Sequence, residues 1–216
     1  YDLVNRPDGV GTTDKVTFAF NHALCKVDFR ARHLVDLDNE GGTAGAALPA
    51  ETKVIINSVS ISGNYPVSGQ LNLNTGDWSS SRPDPAAPVT YTFSGTKLNE
   101  DIRDEDEGVT NVLQKVTADD MALMLIPAYP SGAAVSTTNT ITVNYTVITQ
   151  DANLDGGESR ITSTVSDDIN ITFEKGKYYM IDMVLGLTSV KLDATVSVGD
   201  WNTIAANEID LPNNDE

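Results

Sequence analysis

Residues 177–198, KYYMIDMVLGLTSVKLDATVSV, carry the clearest pattern in the chain. In the second half, Leu192, Ala194, Val196 and Val198 share one parity, and Asp193, Thr195 and Ser197 share the other. A period of two belongs to a strand with one face on a core and one in water, because successive side chains point to opposite sides of a sheet. Trp201 closes the run. The same alternation recurs upstream, in Val16, Phe18 and Phe20, in Val27, Phe29 and Ala31, and in Val89, Tyr91 and Phe93. It recurs again in Ile141, Val143, Tyr145 and Val147. In residues 53–62, Ile55 and Asn57 oppose Ile56, Ser58 and Ser60. Residues 161–165 and 169–173 read as two short strands. Residues 121–126 (MALMLI) form a continuous apolar run stopped by Pro127, which predicts a strand buried on both faces.

One place breaks phase. Leu24 and Val27 are three apart, so a regular strand does not put both on one face. Either the strand carries a bulge near Cys25–Lys26 or two strands meet there, and Phe20, Leu24, Val27 and Phe29 are expected to be buried in both cases. Turn chemistry separates the strands. Residues 41–50 (GGTAGAALPA) and 79–88 (SSSRPDPAAP) read as loops, Thr75-Gly76 as a tight turn, and 151–157 (DANLDGG) as a hairpin turn. About a dozen short strands spaced this way predict an all-β fold, a two-layer and mostly antiparallel β-sandwich.

Composition narrows the function. The 216 residues hold 14 Lys and Arg against 31 Asp and Glu, a net charge of −17. That excludes nucleic acid or an anionic membrane as a partner held by bulk charge, since phosphates are repelled. Hydrophobic residues at 40% still support a core, while aromatics at 6% are few for a glycan cleft of stacked rings. The single cysteine, Cys25, excludes an internal disulfide and a thiolate metal cluster. No apolar window is long enough for a transmembrane helix. The chain starts at Tyr1 with no leader pattern, which reads as a trimmed or mature fragment.

The string Val16-x-Phe18-x-Phe20-x-His22-Ala23-Leu24-Cys25-Lys26-Val27-x-Phe29 resembles the fimbrillin signature F-x-H-A-L-S-K-V, with Cys25 where Ser is common. Gly69 to Trp78 resembles the family's G-x-L-x-L-x-T-G-x-W turn. Leu125-Ile126-Pro127 followed by Ile141-x-Val143-x-Tyr145 resembles its L-I-P-Q…I-x-V-x-Y block, with Ala128 in place of Gln. Gly176-x-x-Tyr179 through Val196-x-x-x-x-Trp201 resembles its closing block. The resemblance implies a transthyretin-like sandwich and a subunit of type V pili on Gram-negative anaerobes, as stalk, anchor or tip. It implies other pilin subunits and host or bacterial surface ligands as partners. It implies export through the periplasm to the outer membrane and residence in the fimbrium at the cell surface. About fifteen residues precede the first motif, where the family has a further domain, so residues 1–201 are expected to be the C-terminal domain of a longer precursor. Residues 202–216 are expected to be an acidic tail.

Candidate sites are few. His22 and His33 form no metal motif, and His22 reads as a structural residue. Cys25 reads as an inert buried thiol. Asp151-x-Asn153-x-Asp155-Gly156 matches the first half of a calcium loop, but its twelfth position is Thr162 where a bidentate Glu is needed, so an ordinary turn is the stronger reading. The acids of 100–107 read as a solvated charge run. Asn144 and Asn170 head glycosylation sequons inside expected strands. No nucleophile elbow or phosphate loop occurs, so no enzyme and no cofactor are expected. Ile204, Ile209 and Leu211 are spaced through the polar tail as possible anchors for strand pairing in assembly, against the plainer reading of a frayed tail. The expected function is a structural or adhesive pilus subunit assembling by strand addition. The alternative is a secreted glycan- or calcium-binding module, which a cleft with two or more aromatic faces would favour.

Overall fold

A computed structural model describes residues 16–17, 22–34, 52–81, 88–95, 98, 101–102, 113–117, 121–127, 137–186, 191–201 and 208–209. Thirteen strands are formed among these residues, and no α-helix. Two sheets stack as a sandwich. Sheet I runs in the order β10 (Glu158–Ile171), β9 (Thr137–Gln150), β3 (Lys53–Gly63) and β6 (Val89–Phe93), all antiparallel. Sheet II runs β12 (Lys191–Asp200), β11 (Lys177–Gly186) and β2 (Cys25–Leu34). Two short strands, β7 (Gln114–Lys115) and β8 (Leu123–Leu125), share the outer edge of β2. The β11–β2 pair is parallel, and sheet I is inserted in the chain between its two members. A separate hairpin pairs β4 (Ser68–Asn72) with β5 (Asp77–Ser81). Finally, β1 (Val16–Thr17) pairs with β13 (Glu208–Ile209).

The alternating apolar residues meet between the sheets. Val27, Phe29, Ile181 and Met183 of sheet II and Ile56, Ile61, Ile141 and Val143 of sheet I are fully buried. Phe29 packs on Phe93 across the gap at 5.3 Å between ring centres. Tyr65 lies between Tyr91 and Phe173, and its hydroxyl donates to Asn139 Oδ1 at 2.5 Å. Gly63 is required there, because a Cβ would stand 2.7 Å from that oxygen and 2.9 Å from the Tyr65 ring. At one side the sheets are tied by the Ala194 N–H donating to Asp167 Oδ2 at 2.9 Å.

Four expectations are corrected in detail. The apolar run 121–126 is an edge strand with Met124 45% exposed, not a strand buried on both faces. The two short strands expected over 161–165 and 169–173 are one long strand, β10, which runs unbroken to Ile171 because the Thr and Ser at its outward positions keep the ladder continuous. Val198 is 57% exposed, since β12 runs past the core at that end. The phase slip at Leu24 is a break, one of its two expected forms: the chain bends at Ala23 and Leu24, and β2 then pairs regularly from Cys25, but Leu24 is not buried as expected. Val27 and Phe29 are buried as expected, Leu24 is only half-buried, and Phe20 lies outside the described residues. The bulge is in β3 instead. Ile56 pairs with Tyr145 and Ser58 with Asn144, so Asn57 is the extra residue and the buried parity switches from Val54 and Ile56 to Val59 and Ile61.

Candidate functional site

All four motif segments converge on one pole of the sandwich, around residues 22–25. The Trp78 indole N–H donates to the Ala23 carbonyl at 2.7 Å, which fixes the β4–β5 hairpin to the start of β2. The Gly176 N–H donates to the Leu24 carbonyl at 2.9 Å, and the Trp201 N–H donates to the Gly176 carbonyl at 2.8 Å. Gly176 has φ of 71°, the left-handed region that glycine occupies without steric cost. His22 stacks on Trp201 with ring centres 3.6 Å apart and planes parallel to 1°, a structural role for that histidine. The Cys25 thiol donates to the Leu125 carbonyl at 3.6 Å. Burial pushes that thiol up to about 12, so at neutral pH it stays protonated and inert. Lys175 reaches the hairpin turn, donating to the Gly76 carbonyl at 3.0 Å and to Asp77 Oδ1 at 3.1 Å.

In sequence His22 follows β1 and Trp201 precedes β13, and these two strands pair antiparallel, Val16 with Ile209 and Thr17 with Glu208. Of the three tail anchors expected from sequence, Ile209 therefore lies in a strand pair, while Ile204 and Leu211 lie outside the described residues.

The Asp151–Asp155 segment sits at the opposite pole as the β9–β10 turn. Asp151 Oδ1 accepts from both the backbone N–H and the side-chain amide of Asn153, at 2.9 and 3.1 Å. The turn is closed by Asp151 N–H to the Gly157 carbonyl, and Gly156 and Gly157 both hold positive φ. These contacts are those of an Asx turn. Asn144 and Asn170 are engaged with Thr164 and Thr138 on the outer face of sheet I. Beside the β4–β5 hairpin lies an open cavity of about 480 Å³, bounded by Gln70, Asn72, Asp77 and one aromatic, Trp78.

Sequence reading missed a second cluster, on the outer face of sheet II. Asp28 is fully buried although it points away from the core. The Thr117 hydroxyl donates to its Oδ1, while Lys115 Nζ at 3.1 Å, the Tyr178 hydroxyl at 3.3 Å and Lys26 Nζ at 4.0 Å surround Oδ2. Lys26 also lies 5.2 Å from the centre of the Tyr178 ring. Burial, then the charge of Asp28, raises Tyr178 above its ordinary value. Beside this cluster Arg30 grips Asp182 through two bonds of 2.8 Å. The signal was present in Lys26, Asp28, Arg30 and Arg32, which alternate with the apolar residues of β2.

The fold and the pole together define a β-sandwich module in which contacts from Trp78, Gly176 and Trp201 gather at the start of β2. The chain matches the fimbrillin-like family over residues 4–201 and belongs to that family. It is similar to the crystal structure of a fimbrial protein from Bacteroides vulgatus, with 17% identity, 85% of this chain and 56% of that chain covered, and a TM-score of 0.46. A candidate cell adhesion protein from Bacteroides ovatus shares 12% identity over 83% of this chain and 45% of that one, with a TM-score of 0.37. Another, from Parabacteroides distasonis, shares 14% identity over 84% and 52%, with a TM-score of 0.40. The chain spans about half the length of these structures. No curated protein sequence matches it.

Proposed function

We propose that this chain is a non-catalytic structural subunit of a surface fimbrium, exported through the periplasm to the outer membrane, and that it joins neighbouring subunits by strand addition. Membership of the fimbrillin-like family supports the coarse reading of a fimbrial surface protein that assembles with other pilins. The observation that carries the finer reading is the β1–β13 pair. It holds two residues from each strand and stands apart from both sheets of the sandwich. So small a two-stranded ribbon is marginal in water. A few ladder bonds at about 1 kcal/mol each are easily exchanged for the same bonds to another chain. Ile209, with Ile204 and Leu211, supplies apolar anchors for such an exchange.

The test is deletion of residues 203–216 from the full-length protein. The melting temperature is expected to stay nearly unchanged while polymerisation weakens. Fibres forming from the deletion variant at the original rate show that the tail takes no part.

A further inference from the structure

We infer that the outer face of sheet II is a docking surface for a second copy of this chain, and that the contact is heterologous. The inference deepens the fimbrial reading, on which it rests for the premise that copies meet.

Charge distribution is the first support. Lys26, Arg30, Arg32 and Lys115 lie on this face. Against these four cations stand two acids among the described side chains, Asp28 and Asp182. The whole chain holds 14 basic and 31 acidic residues, so the described side chains of this face carry the opposite sign to the molecule. Lys115 pairs with Asp28 and Arg30 with Asp182, which leaves the charges of Lys26 and Arg32 in excess on this face.

Composition is the second support. Between the cations lie Tyr178, Met180 and Val184 of β11, with Met124 of β8 45% exposed at the edge. Tyr, Met and Arg are the residues enriched at protein interfaces. The outer face of sheet I offers no such match. Its Thr, Ser and Asn side chains bond to one another, as Thr142 does to Ser166 and Asn144 to Thr164.

The charges also dictate the kind of contact. Two copies meeting through the same face oppose like charges, which costs free energy. A positive face meeting the acidic remainder of another copy gains instead, and raises the encounter rate. Such a contact uses different patches on the two partners. It leaves one of each patch free at the ends and propagates into an open array unless the rotation closes.

The experiment is sedimentation of the full chain at about 0.01 M and about 1 M salt, between which the screening length falls from about 30 Å to about 3 Å. Association is expected at low salt and is expected to weaken at least about tenfold at high salt. Arg32→Glu with Met124→Glu, and Met124→Glu alone as the gentler variant, are expected to weaken it at low salt. Thr142→Glu with Thr164→Glu on the other face is expected to leave it unchanged. The chain lacking residues 203–216 is expected to associate as before. A chain that stays monomeric at low salt, or charge reversals with no effect, overturns the docking face. Loss of association only on truncation also overturns it while leaving strand addition standing.

Discussion

The two outward faces of the sandwich solve the same problem with opposite chemistry. On sheet I, five cross-strand pairs join β9 to β10 through neutral or singly charged groups: Thr138–Asn170, Thr140–Asp168, Thr142–Ser166, Asn144–Thr164 and Thr146–Thr162, at 2.7 to 3.0 Å. Every one is exposed, so water replaces any bond that breaks. On sheet II the groups are charged and partly sealed from water, and Asp28 is fully buried. A buried charge loses its hydration and depends on its partners. The ladder is therefore redundant, and the charged face is interdependent. A substitution has an effect set by what it leaves stranded, more than by the bond it removes.

The sharpest way to break this contrast is to strand Asp28. Removing Lys26 and Lys115 together (Lys26→Met with Lys115→Met) leaves its carboxylate with only the hydroxyls of Thr117 and Tyr178. A loss of about 3 kcal/mol in urea unfolding is expected, the cost of breaking a buried ion pair by removing one partner. Asp28→Asn is expected to cost less, about 1–2 kcal/mol, because the lysines it leaves reach solvent with side chains 23% and 31% exposed. The reverse order of the two results removes the basis of the comparison.

Alkaline pH probes the inward side of the same sheet. Burial pushes Tyr179 up to about 12, as it does Cys25. Both groups hold their proton more tightly folded than unfolded. Their contribution is complete below their ordinary values of 10.0 and 9.0 and is lost as pH rises toward about 12. Unfolding free energy is thus expected to fall from about pH 9 upward. The double variant Tyr179→Phe with Cys25→Ala is expected to be less stable at neutral pH and to show a flatter alkaline limb. An unchanged slope places the alkaline titration elsewhere.

On sheet I the one irregular residue should matter more than the regular ones. Asn57, the bulge residue, donates to Asn144 Oδ1 at 2.7 Å and to Thr146 Oγ1 at 2.9 Å. It locks the parity switch on which the burial of Val59 and Ile61 depends. Asn57→Ala is expected to cost about 1 kcal/mol by thermal or urea unfolding. A result within the scatter of the ladder positions means the bulge is held by the backbone alone.

Much of this architecture was legible in the sequence. Period-two alternation marked the strands, the Thr75-Gly76 and 151–157 turns fell where glycine takes positive φ, and the motif blocks marked the pole. A three-residue spacing of apolar side chains occurs at a second place in the chain. Val59 stands three residues after Ile56 just as Val27 stands three after Leu24, and the first pair holds the bulge while the second begins at a chain bend. Local spacing detects a phase slip without saying whether pairing continues through it, since that depends on a partner strand far away in sequence. The burial of Asp28 was illegible for a similar reason. Thr117, Lys115 and Tyr178 come from segments about 90 and 150 residues distant, and only the sheet order brings them together. The run 121–126 misled because apolar content predicts burial only when both faces find a neighbour. Here the strand lies at an edge.

The smallest expected effect tests the redundancy of the ladder. Thr142 and Ser166 face each other across β9 and β10 at 2.8 Å in water. Replacing Thr142 by Val removes the bond but leaves no buried polar group, because the Ser166 hydroxyl turns to solvent. Valine also keeps the branched shape that suits a strand. The change is expected to lie within about 0.5 kcal/mol of the parent, as for an ordinary surface substitution. Urea unfolding of Thr142→Val, Ser166→Ala and the double variant then forms a cycle whose coupling term is near zero. Chains of hydroxyl bonds polarise one another, so a ladder acting as one network gives a coupling well above the single-bond value. A coupling of about 1 kcal/mol or more makes the neutral face as interdependent as the charged one. The difference between the faces then reduces to how deeply each is buried.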